Sequence, residues 1–118
     1  MSSRGDAERA TKATLETLGE RLVGGAANNL ASQLPPLIGD YLRSGADMEI
    51  AEMTLDDFFR RVSEREEVDL PKSIHHARAV VSVLQDAVSE WQIDKVREQF
   101  PKEWAPLFDS GSEGRMER

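Results

Sequence analysis

The strongest constraint on this chain is a stretch that occurs twice. Gln33-Leu34-Pro35 returns as Gln99-Phe100-Pro101, and the 66-residue separation carries over to the apolar positions on both sides. Downstream, Ile38, Tyr41 and Leu42 align with Trp104, Leu107 and Phe108. Upstream, Leu15, Leu18, Leu22 and Leu30 align with Val81, Leu84, Val88 and Val96. Identities are few and the register has no gap, so what recurs is a pattern of burial. That pattern points to one helical unit written twice. The fold class expected is all-α.

Caps, prolines and apolar spacing place the elements. Helices are expected over 6–22, 26–33, 36–43, 54–65, 72–88, 90–99 and 102–108. Asp6 suits the cap of the first, and Gly24-Gly25 breaks the chain after it. Pro35-Pro36 and Pro101 end the helices before them, because a residue preceding proline is pushed out of the helical region. Thr54 with Asp57, and Ser89 with Gln92, have the spacing of capping boxes. Leu55, Phe58, Phe59 and Val62 sit at i, i+3, i+4 and i+7, an amphipathic signature. The longest helix carries a stripe of Ile74, Ala77, Val81, Leu84 and Val88, widened by Val80, Val83 and Ala87. The aligned positions in the first unit are Thr14, Thr17 and Arg21, so the second long helix is expected to be the more buried one. The chain is read as one domain, 1–118. Its sub-units are 6–43 and 54–109, joined by a linker at 44–53 and followed by a flexible tail at 110–118.

Composition narrows the function classes. A net charge of −7 argues against nucleic acid as the main partner, and the strongest basic cluster, Arg60-Arg61 with Arg65, is interleaved with Asp56, Asp57, Glu64, Glu66 and Glu67. No run approaches the roughly 20 apolar residues of a membrane helix, and Met1 to Asp6 lacks the apolar core of a secretory signal. With no cysteine there is no disulfide framework and no thiol nucleophile. A soluble cytoplasmic protein is expected.

The residues that could carry chemistry do not converge. His75 and His76 are helical neighbours about 100° apart, which does not suit one shared ion, so a surface or boundary role is expected. Glu49, Glu52, Asp56 and Asp57 gather near a helix start, where acidic residues are favoured anyway, and no EF-hand loop is present. Gly24-Gly25 lacks the strand and lysine of a phosphate loop, and no serine lies in a Gly-x-Ser-x-Gly context. Trp91, Phe100, Trp104 and Phe108 are expected to close the core between the last helices. No catalytic residue, cofactor or metal is assigned, and the protein is not expected to be an enzyme.

Phe58-Phe59-Arg60-Arg61-Val62, the helix Ala77 to Leu84, the two Gln-x-Pro turns and Leu18-Gly19-Glu20-Arg21-Leu22 with Gly24-Gly25-Ala26 together resemble the domain of unknown function 2267 family of bacteria and archaea. The resemblance covers roughly residues 7–109. It implies an all-helical, internally duplicated protein and carries over no active site.

One departure shapes the functional expectation. The amphipathic helix 54–65 precedes the second long helix, but its counterpart 66 residues earlier would fall before Met1. Either the native start lies upstream of Met1 or the first unit is built without an opening helix, and the second case is expected to leave apolar surface at Leu15, Leu18 and Leu22 for a second copy or another protein. A protein–protein interaction module, as a homodimer or with another partner, is the leading expectation. A helical pocket for a small apolar ligand, lined by Trp104, Phe108, Val83 and Leu84, is the alternative. DNA binding by a helix pair is third, for want of a basic face.

Overall fold

Most of the helices start where a side chain caps, or a proline occupies, the first turn. The computed structural model describes residues 4–109. These form α1 (Arg4–Arg21), α2 (Ala26–Ala31), α3 (Pro36–Ser44), α4 (Leu55–Glu66), α5 (Leu70–Ala87), α6 (Glu90–Arg97), a 3-10 turn (Lys102–Trp104) and α7 (Ala105–Phe108). There is no strand among the described residues. The all-α class holds, and the expected tail at 110–118 lies outside the described residues.

Several boundaries move for local reasons. Asp69 accepts the Lys72 amide at 3.0 Å, so α5 begins at Leu70 with proline in its first turn, two residues before the expected start. Asp6 lies inside α1 and pairs with Arg9. Helices α2 and α6 both stop two residues before their glutamine. Gln33 and Leu34 donate to Leu30 and Ala31, and Gln99 and Phe100 donate to Val96 and Arg97, at 3.0–3.1 Å. These are i to i−3 bonds that tighten the chain before proline.

Helix α4 is capped on both sides. The Thr54 hydroxyl accepts the Asp57 amide at 3.1 Å, and the Asp57 carboxylate accepts the Thr54 amide at 3.2 Å. That backbone amide, then the Thr54 hydroxyl, then Arg60 and Arg61 hold the Asp57 carboxyl below its usual range. A depressed carboxyl contributes stability above its unfolded pKa, so the cap is complete at neutral pH. It is lost only as pH falls through the depressed value. The Ser89 box is half formed. Its hydroxyl accepts the Gln92 amide at 3.2 Å, but its own amide donates to Gln33 Oε1 at 3.0 Å.

That last bond has a partner elsewhere. The Gln99 carboxamide both accepts from the Val23 amide and donates to the Val23 carbonyl, each at 3.0 Å. Val23 and Ser89 lie 66 residues apart, as do Gln33 and Gln99. Each Gln-x-Pro turn thus reaches across to the chain that follows the other long helix. Helices α1 and α5, each of 18 residues, pack together beneath this exchange.

Packing around α1 depends on small residues. A Cβ added at Gly19 would sit 2.2 Å from the Leu42 carbonyl oxygen, and one at Gly45 would sit 2.5 Å from that of Glu16. Helix α3 therefore crosses α1 at near backbone contact. The residue 66 on from Gly19 is Gln85, whose Nε2 donates to the Phe108 carbonyl at 2.8 Å. Phe108 is itself 66 on from Leu42. The same carbonyl is met by bare backbone in one case and by an amide in the other.

Helix α4 lies against both α1 and α5, and buries Phe58, Phe59 and Val62. The Phe58 ring meets Trp104 edge-on at 5.4 Å, and Phe100 packs edge-on to Trp104 at 4.7 Å and to Phe108 at 4.9 Å. The segment expected as a linker at 44–53 is held to α1 at its end. Ile50 donates to the Glu20 carbonyl at 2.7 Å, and Met53 is buried.

Gln99→Ala strips both partners from the part-buried Val23 peptide groups and is expected to cost about 1–3 kcal/mol. Gln33→Ala removes one exposed bond and should cost under about 1 kcal/mol. Urea unfolding with an unchanged m value checks that order. Gly19→Ala is expected to cost about 1–3 kcal/mol or more by overpacking, read from the same transition.

Candidate functional site

The two long helices expose opposite chemistry from the one expected. Thr14, Thr17 and Arg21 of α1 are buried, at 0, 0 and 4% exposure, whereas Val83 of α5 is 67% exposed. Val80 is half-buried and Ala87 exposed. The expectation that α5 is the more buried helix is corrected, because α4 and the turn around Gln99 cover the polar face of α1.

Most of that polar face is buried with partners, although no described residue bonds the Thr14 hydroxyl. Arg65 of α4 donates to the Thr17 hydroxyl at 2.9 Å and to the Glu20 carboxylate at 2.5 Å, and Arg61 lies 3.5 Å from Glu20. Arg21 donates to the Gln99 carbonyl at 2.8 Å and the Met53 carbonyl at 3.3 Å. Its guanidinium lies over the Phe100 ring at 4.6 Å and the Trp104 ring at 5.3 Å. Burial lowers the Arg21 pKa, with the Glu52 carboxylate acting the other way. Arginine remains charged at physiological pH all the same.

On α5 the corresponding face opens into a groove of about 410 Å³. Thr11 and Leu15 of α1 form one side, and Ala79, Val80, Val83, Leu84 and Ala87 of α5 form the other. Leu34, Pro35 and Ile38 close it around the first Gln-x-Pro turn. Only Thr11 brings a polar side chain, and its hydroxyl already donates to the Ala7 carbonyl at 2.8 Å. What remains is a partly exposed apolar channel.

Of the residues expected to form a contact surface, Leu15 reaches the groove wall and Leu18 and Leu22 do not. Leu15, Leu18 and Leu22 are 1, 0 and 1% exposed within the single chain, so they belong to the core. The apolar surface falls on α5 instead of α1, because α3 and α4 pack on α1. The pocket expected from Trp104, Phe108, Val83 and Leu84 does not form as one. Val83 and Leu84 line the groove, while Trp104 and Phe108 line a separate depression with Arg97, Phe100 and Lys102. Trp91 does not close the core but is 64% exposed, with the Lys95 ammonium 5.4 Å from its ring centre.

Of the remaining candidates, His76 and Glu49 bond to other parts of the chain. His75 is exposed, and His76 Nδ1 meets the buried Glu66 carboxylate. Glu49 accepts the Gly24 amide at 3.1 Å, so the glycine pair, with φ of 63° and 81°, turns onto a carboxylate of the same chain. Among the described residues no three His, Asp or Glu side chains are placed to hold a metal, and no helix is long and apolar enough to cross a membrane. The groove-lining Val80, Val83 and Ala87 carried a signal in the sequence, since they widen the α5 stripe beyond what one packed side requires.

A family model described as an uncharacterized conserved protein, DUF2267, matches residues 1–107. No curated protein matches the chain.

The inverted faces predict opposite responses to substitution. Val83→Ser should leave stability within about 0.5 kcal/mol, as for an exposed position. Arg21→Leu leaves the Met53 and Gln99 carbonyls without that donor and should cost about 1–3 kcal/mol. Paired thermal and urea melts of the two variants check this.

Proposed function

The chain belongs to the DUF2267 family, and from that premise we propose that it acts as a protein–protein interaction module whose contact face is the α1–α5 groove. The observation that carries this is the almost wholly apolar lining of the groove. Small-molecule sites place a few polar groups to fix the ligand's orientation, and here the single polar side chain is already bonded to its own helix. A protein surface needs no such anchor, because shape and apolar area suffice for the centre of an interface. Exposed Val83 on α5 and Leu37 on α3, at 67 and 61%, extend the apolar character outward. The proposed activity is non-catalytic and calls for no cofactor.

A homodimer is the simplest form of this function, with copies meeting through that face. A small apolar ligand is the second reading, favoured by the groove's volume of about 410 Å³, which falls within the range of ligand sites. Nucleic acid is not proposed, given the net charge of −7.

Light scattering from dilute to concentrated protein is expected to show a mass rising above the monomer, and Val83→Glu is expected to return it to the monomer at every concentration. A dimer indifferent to Val83→Glu would place the contact elsewhere. A strict monomer that takes up an apolar dye, with uptake lost in Val83→Glu, would favour the small-ligand reading.

A further inference from the structure

Resting on the groove as a protein-contact face, we propose that its occupant is an amphipathic helix from another polypeptide, built on the pattern of α4. Helix α4 shows what a helix needs in order to lie across α1 and α5. It inserts Phe58, Phe59 and Val62, sets Phe58 against Trp104, and pairs Arg61 and Arg65 with Glu20 at its flank. Its seat on α1 carries Thr17, bonded to Arg65, with Thr14 and Arg21 on the same helix face. Moving Thr14, Thr17 and Arg21 by 66 positions gives Val80, Val83 and Ala87, all of which line the groove. Trp104 maps to Ile38, also in the groove lining, and Glu20 maps to Asp86, exposed on α5 between Val83 and Ala87. No residue of α4 lines the groove, so the two seats are separate places on the α1–α5 pair.

The differences between the seats define the occupant. The filled seat offers a hydroxyl at Thr17 and a cation at Arg21, and α4 answers the first with Arg65. The open one offers Val83 and Ala87 there, so its helix should be apolar at that point. Asp86 retains the acidic flank and calls for an arginine one turn from the apolar positions. The partner is thus a helix with large apolar residues at i, i+3, i+4 and i+7 and a basic flank, a mode of recognition in which a groove takes up one helical face. A second copy does not offer this helix from its folded state. The α4 residues that would enter, Phe58, Phe59 and Val62, are already buried in their own seat.

The test uses a capped peptide with the sequence from Thr54 to Glu66 carrying Arg65→Leu, so that it is apolar opposite Val83 and keeps Arg61 as its basic flank, labelled and titrated into the intact chain. Fluorescence anisotropy should show saturable one-to-one binding, and circular dichroism a gain of helix. Val83→Glu in the chain should weaken binding about tenfold or more, and Asp86→Lys about two- to fivefold. A peptide with Phe58→Ala and Phe59→Ala should not bind, and saturating peptide should return any concentration-dependent mass to the monomer. Melting curves of the two chain variants establish that both are folded. Binding indifferent to Val83→Glu would mean that the peptide enters the α4 seat, and would overturn the proposal. Absence of peptide binding alongside Val83-dependent self-association would overturn the helix as occupant and leave the contact face standing. Absence of both, with Val83-dependent dye uptake, would remove the two together.

Discussion

Gln99 ties the fold together at the point where most of its parts meet. Its side chain holds both peptide groups of Val23, and its own carbonyl takes the Arg21 guanidinium. Two residues later Pro101 turns the chain so that Trp104 lies near that cation. The end of α1, the last turn and the aromatic cluster are thus anchored through one residue. Bonds to charged donors in partly dry surroundings are among the stronger ones available to a protein. With the end of α1 held in this way, its polar face presents Thr17, Glu20 and Arg21 in a fixed arrangement, and α4 can close over it.

The two sides of the α1–α5 pair then differ in a way that follows from hydrogen-bonding capacity. Buried polar groups must find partners, and α4 supplies Arg61 and Arg65 to do so. Where no helix covers α5, Val80, Val83 and Ala87 lie open to varying degrees. An apolar residue tolerates exposure at little local cost, whereas a buried arginine without acceptors would not tolerate burial. The polar residues inside and the apolar residues outside both follow from what packs on each face, α4 and the Gln99 turn on α1 and no described helix over the groove.

Much of this was legible along the chain. Thr54 with Asp57, Asp69 before Leu70-Pro71, and the prolines after each glutamine mark helix ends by chemistry that acts within a few residues. The candidate site was legible only in part. Val80, Val83 and Ala87 stood out as an excess of apolar residues, yet the contact surface was expected at Leu15, Leu18 and Leu22. Periodicity identifies an apolar stripe but not what lies against it. The leucines are core because α3 approaches α1 closely through Gly19 and Gly45, a contact made by backbone atoms with no signature in side-chain pattern.

The sequence by itself determined the all-α class, the family, the recurrence of the Gln-x-Pro turns and the position of most caps, since each of these depends on neighbours in the chain. The tertiary structure alone decided which face of each long helix is covered, where the glutamine side chains go and which apolar residues remain open. Those outcomes join residues as far apart as Val23 and Gln99, or Arg21 and Met53. A contact over such a separation depends on how whole helices pack, and no local propensity encodes it.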